Sequence, residues 1–298
     1  MKKTYAELLY GEILKELPEN ATDQQIQSFV QKRIESLSQT DEGKIVPALE
    51  HRFIGPDSPV HVGYFKTPFM KADDAGIKCG FTLDNTSAYE KFIRKLITEK
   101  PQIFIDTLDL IDAFQMETLG KSESNQQTVI KTAQSPIDKR VNMRVMPFDK
   151  VVSQQVAQCA AKSALVHNCA QIIGIPARRS ACTMTSIEDI KNRETDFYHV
   201  LNIFKFPETT NVYSRPLSEN EDYAVIFDTS FRSGPQKQAT AVPISKEIYE
   251  NFCNGKAIDY IQDYKINRCF FQHECRIIGQ RENFLKNENK EGFPFAEI

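Results

Sequence analysis

The longest stretch of the chain without an acidic or basic residue runs from Ser163 to Ala177. It is shorter than the roughly 20 predominantly apolar residues that a membrane span requires, and it contains a histidine, an asparagine and a glutamine. The run therefore predicts a buried core helix. Gly174 and Pro176 end it, because proline cannot continue a helix and glycine suits the C-terminal cap. The rest of the core must be built around this helix.

The helical pattern begins before the uncharged run, at Val151, and continues to Ile173. One broad arc of this helix is apolar, and the opposite side carries His167, Asn168 and Gln171, so His167 is predicted to be a solvated or capping histidine. Strand patterns follow at Ala177–Thr183, Phe197–Phe206 and Tyr223–Phe227, then a predicted helix at Ser245–Tyr264 and a strand at Arg268–Ile278. One helix followed by several strands in one stretch predicts an α+β fold, and not alternating β/α units.

The first hundred residues are predicted to be mainly helical. Apolar spacing and capping residues indicate helices at Met1–Leu17, Thr22–Leu37, Ser87–Thr98 and Gln102–Leu119. Shorter strand-like segments lie at Val60–Phe65, Ile77–Leu83 and Asn142–Met146. The polar stretch that follows Gly120 is predicted to be a linker.

Composition excludes several classes of protein. The 298 residues include 37 Lys+Arg and 40 Asp+Glu, a net charge of -3, which offers no basic surface for nucleic acid. The first predicted helix is interrupted by Glu7, Glu12 and Glu16, whereas a secretory signal has a continuous apolar region. Seven cysteines without a C-x-x-C pair are typical of reduced thiols. We expect a cytoplasmic protein that binds neither nucleic acid nor membrane.

Three residues form a possible nucleophile, base and orienting acid. Cys159 lies near the start of the apolar helix, where free backbone N–H groups and the helix dipole favour a thiolate. His199 lies in the middle of a predicted strand, and Asp228 is predicted to end the next one. A nucleophilic thiol needs a base within hydrogen-bond reach and a third group that orients the base. The order Cys159, His199, Asp228 therefore predicts a catalytic triad.

The residues around this set resemble the transglutaminase-like superfamily. Cys159 opens a helix that ends fifteen residues later in Gly174-Ile-Pro-Ala-Arg178, as in that family. The family's next element is a strand that bears histidine, often His-x-Trp-Asn, and His199-Val-Leu-Asn202 is similar. Its third is a strand ending in Asp before Thr, to which Phe227-Asp228-Thr229 is similar. The resemblance covers roughly residues 151–231.

The resemblance implies a papain-like core, in which the helix that bears Cys159 packs on an antiparallel sheet that bears His199 and Asp228. It also implies an acyl transfer on protein amide groups through a Cys159 thioester. A transglutaminase uses an amine as acceptor, and a glutamine deamidase uses water. No cofactor or metal is implied, and the partner is a protein or peptide substrate. The implied organisation is a helical accessory region at residues 1–120, a polar linker at 121–140, a catalytic domain at 141–280 and a polar tail at 281–298.

Two positions depart from the family pattern. Ala157 stands where the family usually has glycine, and Leu201 stands where it usually has tryptophan, a residue that this chain lacks. These departures concern the oxyanion partner and the substrate tunnel. Gln158 or Gln154 is a candidate oxyanion donor beside the Cys159 backbone N–H, on the ground of proximity in sequence alone.

Other interpretations of the same residues stay open. One is a cysteine protease on the same core, and another is a non-catalytic binding module that keeps the fold. A zinc site at Cys269, His273 and Cys275 is not expected, because a fourth ligand is not evident. The Asn- and Lys-rich composition and the tail ending at Ile298 are similar to those of bacterial effectors that are injected into host cells. Secretion into a host cell is therefore a second hypothesis for location.

Overall fold

The computed structural model describes residues 2–39, 79–80, 86–120, 137–138, 143–145, 148–155, 157, 159–186, 197–215, 217–218, 222–233 and 238–270. Helices in the first half precede a mixed region of helices and an antiparallel sheet. The predicted α+β class is confirmed. No described helix is long and apolar enough to cross a membrane.

Four of the described helices form the N-terminal layer, at Tyr5–Glu16 (α1), Asp23–Gln39 (α2), Thr86–Glu99 (α3) and Phe104–Leu119 (α4). Thr4 begins α1 with a capping box, in which its hydroxyl accepts from the Glu7 N–H and the Glu7 carboxylate accepts from the Thr4 N–H. The four predicted helices are confirmed, with ends that shift by a few residues. The strand predicted at Val60–Phe65 lies outside the described residues.

A small sheet contains Cys79–Gly80 (β1), Ile137–Asp138 (β2) and Met143–Val145 (β3), in the order β1-β3-β2. β1 pairs with β3 in parallel, and β2 pairs with β3 antiparallel. β1 lies within the predicted Ile77–Leu83 segment and β3 within Asn142–Met146. The sheet therefore pairs a strand that lies between α2 and α3 with strands that follow α4.

The helix predicted from Val151 to Ile173 is broken, so that prediction is wrong in its continuity. Two helices stand in its place, Phe148–Gln154 (α5) and Cys159–Ile172 (α6). Gln155 has a φ of 53°, in the left-handed region that an α-helix cannot contain. Because the chain restarts after this turn, Cys159 is the first residue of α6.

A six-stranded antiparallel sheet follows α6. Its strands are Ala177–Ser186 (β4), Phe197–Lys205 (β5), Ala224–Ser233 (β6), Gln238–Ile244 (β7), Ile258–Ile261 (β8) and Tyr264–Phe270 (β9), and their order is β7-β6-β5-β4-β9-β8. All five neighbouring pairs are antiparallel. α6 packs on the central strands of this sheet.

The helix predicted at Ser245–Tyr264 is wrong beyond Cys253. Only Lys246–Cys253 (α7) is helical, and it is followed by Gly255 with a φ of 70°. The chain then alternates between buried Ile258 and Tyr260 and exposed Asp259, the period of a strand and not of a helix. β9 accordingly starts at Tyr264, four residues before the predicted start.

Alternation along the strands divides the core into two clusters. Phe204, Val225 and Phe227 belong to a cluster that extends through α6 to the N-terminal helices. Leu201 and Ile203 belong to a second cluster, which contains residues of α7 and β8. Side chains of neighbouring residues in a strand point to opposite faces, so the two clusters lie on opposite faces of the sheet.

α6 is buried on all sides, and the prediction of a solvated His167 is wrong. Residues 161–170 of the helix are all buried, and His167 is 0% exposed. The polar arc is covered by the N-terminal layer, where the Asn168 side-chain amide donates to the Tyr89 hydroxyl at 2.9 Å. Burial lowers the pKa of His167 to about 4, so it is neutral at physiological pH.

Candidate active site

Cys159 lies at the N-terminus of α6 and is half-buried. The first turn of a helix has backbone N–H groups without intrahelical partners, and the helix dipole gives this end a partial positive charge. Both effects favour the thiolate over the thiol. Cys159 therefore lies at a helix start, as the sequence predicted. The start is created by the break between α5 and α6, which the sequence did not predict.

His199 and Asp228 form a buried pair. The His199 Nε2 and the Asp228 Oδ2 are 2.7 Å apart, and the two residues are 4% and 0% exposed. The residues that the sequence analysis grouped as base and orienting acid are therefore in direct contact. They come from β5 and β6, which are neighbours in the sheet.

The prediction that Asp228 ends its strand is wrong, since β6 continues to Ser233. The described register between β5 and β6 runs as far as the Asn202–Phe227 pair, so Asp228 follows directly after it. The ladder to β7 is irregular between Asp228 and Arg232. A break in strand pairing leaves side chains and backbone groups available for other contacts. Here the Asp228 carboxylate accepts backbone N–H groups from the irregular segment.

Four donors surround the Asp228 carboxylate. Its Oδ1 accepts the backbone N–H groups of Ser230 at 2.9 Å and Phe231 at 3.2 Å. Its Oδ2 faces His199 and also accepts the hydroxyl of Tyr260 at 2.8 Å. Burial would raise the pKa of Asp228, but the His199 charge and these hydrogen bonds outweigh it and hold the pKa below its usual range. Asp228 is therefore a carboxylate at neutral pH.

Cys159 and Asp228 both act on the His199 imidazole. Burial alone would lower the pKa of His199, but the Asp228 charge, its hydrogen bond and a hydrogen bond with Cys159 together raise the pKa to about 10. Because Nε2 is engaged by Asp228, Nδ1 is the nitrogen left for the thiol. The Phe231 ring packs edge-on against the imidazole, with ring centroids 5.1 Å apart.

Two hydrogen bonds fix α6 against β5. The Asn202 side-chain amide donates to the Ser163 carbonyl at 3.1 Å, and the Ser163 hydroxyl donates to the Leu201 carbonyl at 3.3 Å. Ser163 lies one turn after Cys159, and Asn202 lies three residues after His199. The helix that carries the thiol is therefore attached directly to the strand that carries the imidazole.

The turn before Cys159 is held by the end of α4. Gly120 caps α4 with a φ of 71°, a conformation that favours glycine. A Cβ placed on Gly120 would lie 3.0 Å from Cδ of Gln155. The absence of a side chain at Gly120 thus permits α4 to approach the turn that sets where α6 begins.

The structure describes one of the two candidate oxyanion donors. Gln158 lies outside the described residues. Gln154 is half-buried in the last turn of α5, before the break that precedes Cys159.

Among the described residues, no group of three or more His, Cys, Asp or Glu side chains is placed to hold a metal ion.

Tyr260 is a site residue that the sequence analysis missed. It is separated from Asp228 by 32 positions and lies in a segment that was predicted to be helical. No local pattern around Tyr260 indicates a partner on β6. An aromatic residue with a hydroxyl in a strand buried at alternate positions would have been the available signal, because a buried tyrosine hydroxyl usually has a hydrogen-bond partner.

Comparison with known proteins adds no relative from which a role could be transferred. No protein-family model matches the sequence, and no curated protein matches it. Only the geometry and chemistry of the site therefore indicate a function.

Proposed function

We propose that this protein is a cysteine-dependent acyltransferase or hydrolase that acts on protein amide groups, with Cys159 as nucleophile, His199 as base and Asp228 as the orienting acid. The observation that carries the proposal is the His199 ring, which contacts Asp228 through Nε2 while hydrogen-bonding Cys159. A buried imidazole held between a carboxylate and a helix-start thiol has the arrangement of a nucleophile, a base and an orienter.

The first half of the reaction forms a thioester. The Cys159 thiolate attacks the carbonyl carbon of a substrate amide, and the carbonyl π electrons move to oxygen. The protonated His199 then gives its proton to the leaving nitrogen as the C–N bond breaks and the carbonyl re-forms. Asp228 keeps the imidazole oriented and stabilises its charged form throughout this step. Ammonia leaves when the substrate is a glutamine side chain.

The second half returns the enzyme to its starting state. An amine or water attacks the thioester carbonyl, and neutral His199 accepts the proton that the attacking group loses. The C–S bond breaks, and the thiolate–imidazolium pair is restored. An amine acceptor gives a cross-linked or aminated product, and water gives a deamidated one. The same thioester chemistry on a backbone amide would be proteolysis.

The proposed family is the transglutaminase-like superfamily, with a papain-like core. Supporting this are the order Cys159, His199, Asp228, the Gly174-Ile-Pro-Ala-Arg178 end of α6 and the antiparallel sheet on which α6 packs. The proposed partner is a protein or peptide substrate.

A substrate-independent experiment tests the nucleophile. The protein is treated with iodoacetamide at pH 6, and labelling at each of the seven cysteines is measured by peptide mass spectrometry. We expect Cys159 to react faster than the other six, since only a thiolate is alkylated efficiently. His199→Ala should remove that selectivity. Equal, slow labelling of all cysteines in the wild-type protein would favour a non-catalytic module and contradict the proposal.

A second experiment identifies the acceptor. The protein is incubated with dimethylated casein and the primary amine monodansylcadaverine, and the casein is analysed by intact mass. Incorporated amine indicates transglutaminase activity, replacement of a side-chain NH₂ by OH indicates deamidation, and fragments indicate proteolysis. Cys159→Ala is the control in each case, because any change that persists in this variant does not pass through the thioester.

A further inference from the structure

A buried lysine lies beside the proposed nucleophile. Lys162 is on α6, three residues after Cys159, and is only 1% exposed. Residues three apart in a helix share a face, with Cβ atoms about 5–6 Å apart. Helical side chains also lean toward the N-terminus, so the Lys162 side chain extends back over the turn that contains Cys159.

The Lys162 ammonium has an unusual set of neighbours. Its Nζ donates to the Gly120 carbonyl at 2.7 Å, and within the described ranges it makes no ion pair. The nearby carboxylate, Asp112 of α4, is taken by Arg232 of β6 through two hydrogen bonds of 2.9 and 2.6 Å. Lys162 is therefore a buried cation whose nearest acid is already neutralised by another cation.

This placement is costly for a structural lysine. Burial and the Arg232 charge lower the pKa of Lys162 to about 8, against the opposing effects of Asp112 and Cys159. The positive end of the α6 dipole also disfavours a cation in these first turns. The ammonium nevertheless remains the dominant form at neutral pH. Its positive charge acts on Cys159 in a buried region, where charges are poorly screened.

We propose that Lys162 is a positioning residue of the reaction, whose ammonium stabilises the Cys159 thiolate in addition to His199 and Asp228. This inference rests on the proposed function. The Asp112–Arg232 pair supports it, since Arg232 occupies the carboxylate and leaves the lysine charge to act on the thiolate. The ammonium is held in place by one hydrogen bond to a neutral acceptor, the Gly120 carbonyl.

Two variants separate the charge of Lys162 from its hydrogen bond. Lys162→Gln keeps an N–H donor for the Gly120 carbonyl and removes the charge, whereas Lys162→Met removes both. Lys95→Gln is the matched control, because Lys95 of α3 is a surface lysine that pairs with Glu99 and Glu117. The rate of Cys159 alkylation by iodoacetamide is measured from pH 4 to 10 by peptide mass spectrometry.

We expect both Lys162 variants to raise the pKa of the Cys159 thiol by about one unit, which makes alkylation about tenfold slower in the acidic range. The rates should converge at high pH, where the thiol is ionised in every variant. The Lys95→Gln profile should coincide with that of the wild type. Denaturant unfolding should show unchanged or higher stability for Lys162→Met, since the variant removes the desolvation cost of a buried ammonium that has no ion pair among the described residues.

Four results would overturn the inference. One is a wild-type profile in both Lys162 variants, with a low thiol pKa that still depends on His199, which would leave the proposed function standing. Another is a wild-type profile in Lys162→Gln alone, or a large loss of stability in both variants, which would assign Lys162 to holding α4 against α6. An ordinary thiol pKa in the wild-type protein would overturn both the inference and the proposed function.

Discussion

The side-chain amide of Asn202 donates to the backbone carbonyl of Ser163 at 3.1 Å, in the buried seam between α6 and β5. Both residues are about 1% exposed. Because Ser163 follows Cys159 by one helical turn and Asn202 follows His199 within the same strand, this bond links the helix that carries the thiol to the strand that carries the imidazole. It explains in structural terms why an asparagine three residues after the histidine belongs with the proposed site.

Replacing Asn202 by alanine should impair catalysis more than it impairs folding. The loss of one buried hydrogen bond should lower the free energy of unfolding by about 1–3 kcal/mol. A displacement of reacting groups by about 1 Å can cost about a hundredfold in rate, so we expect kcat to fall by at least about tenfold. Urea unfolding and the casein assay measure the two effects.

Asn211→Ala is the matched control for that prediction. Asn211 makes a similar bridge, since its side-chain amide donates to the Gln102 carbonyl at 2.9 Å and its Oδ1 accepts the Tyr5 N–H, but it lies away from the proposed triad. It should lose stability and keep its activity per folded molecule. An Asn202→Ala protein that matches Asn211→Ala in activity would show that the hydrogen bond between Asn202 and Ser163 does not position the thiol.

The triad variants should lose activity as a group and not additively. Cys159→Ala should abolish turnover and leave the fold intact, because alanine suits a helix start and only a half-buried sulfur is removed. His199→Ala should match that loss, and Asp228→Asn should lose as much or less. Casein turnover by each variant, with circular dichroism as the folding check, gives the comparison.

Cys169→Ala is the control for cysteine removal. Cys169 is 0% exposed within α6, and burial raises the pKa of its thiol well above the usual value. This variant should lose about 1 kcal/mol or more of stability through lost packing and retain a measurable rate. Full activity in Cys159→Ala would mean that another residue is the nucleophile.

Tyr260→Phe should weaken the orienting acid without removing it. The change deletes the hydroxyl that donates to Asp228 Oδ2, and a buried hydrogen bond to a carboxylate is worth about 1.5–3 kcal/mol. We expect a loss of stability of that order and a fall in kcat of several-fold. The Asp228 pKa should rise, because one of the groups that lower it is gone.

Tyr249→Phe tests whether that effect is specific. Tyr249 belongs to the same core cluster as Tyr260, but its hydroxyl interacts with Cys253 and not with the site. Its activity per folded molecule should equal that of the wild type. If the two variants lose activity equally, the effect of Tyr260 belongs to the packing of the cluster and not to Asp228.

Local sequence patterns were sufficient for the long amphipathic helices and for the contact between His199 and Asp228. α3 has strong apolar periodicity, and Gly120 marks the end of α4. The two site residues lie on adjacent strands of obvious apolar character. Adjacent strands place side chains within contact distance once the register is set by their buried faces. The order of the three residues along the chain therefore carried real spatial information.

Non-local contacts and unusual backbone conformations could not be predicted in the same way. The break at Gln155 depends on a positive φ that glutamine rarely adopts, so apolar periodicity continued across it. His167 reads as polar on a helical wheel, yet the N-terminal layer covers that side of α6. Tyr260 was assigned to a helix because short apolar segments fit both periods until tertiary pairing decides between them.

The charged pair of His199 and Asp228 makes stability depend on pH in a defined way. The pKa of Asp228 is lower in the folded state, so its contribution is present above about 3.9, the ordinary value, and is lost as the pH falls. The pKa of His199 is raised to about 10, so its contribution is complete below about 6.5 and is lost as the pH rises toward 10. The pair stabilises the fold most between about pH 4 and 6.5.

We therefore expect the difference in unfolding free energy between the wild type and Asp228→Asn to be largest in that range. The variant keeps the size of the side chain and removes its charge, so groups elsewhere cancel in the difference. Urea unfolding at pH 3, 5, 7, 9 and 10 should show the difference rising from pH 3 to 5 and shrinking from pH 7 to 10. A difference that is constant over this range would mean that His199 and Asp228 are not an ion pair in the folded protein, and that His199 is held by a neutral hydrogen bond.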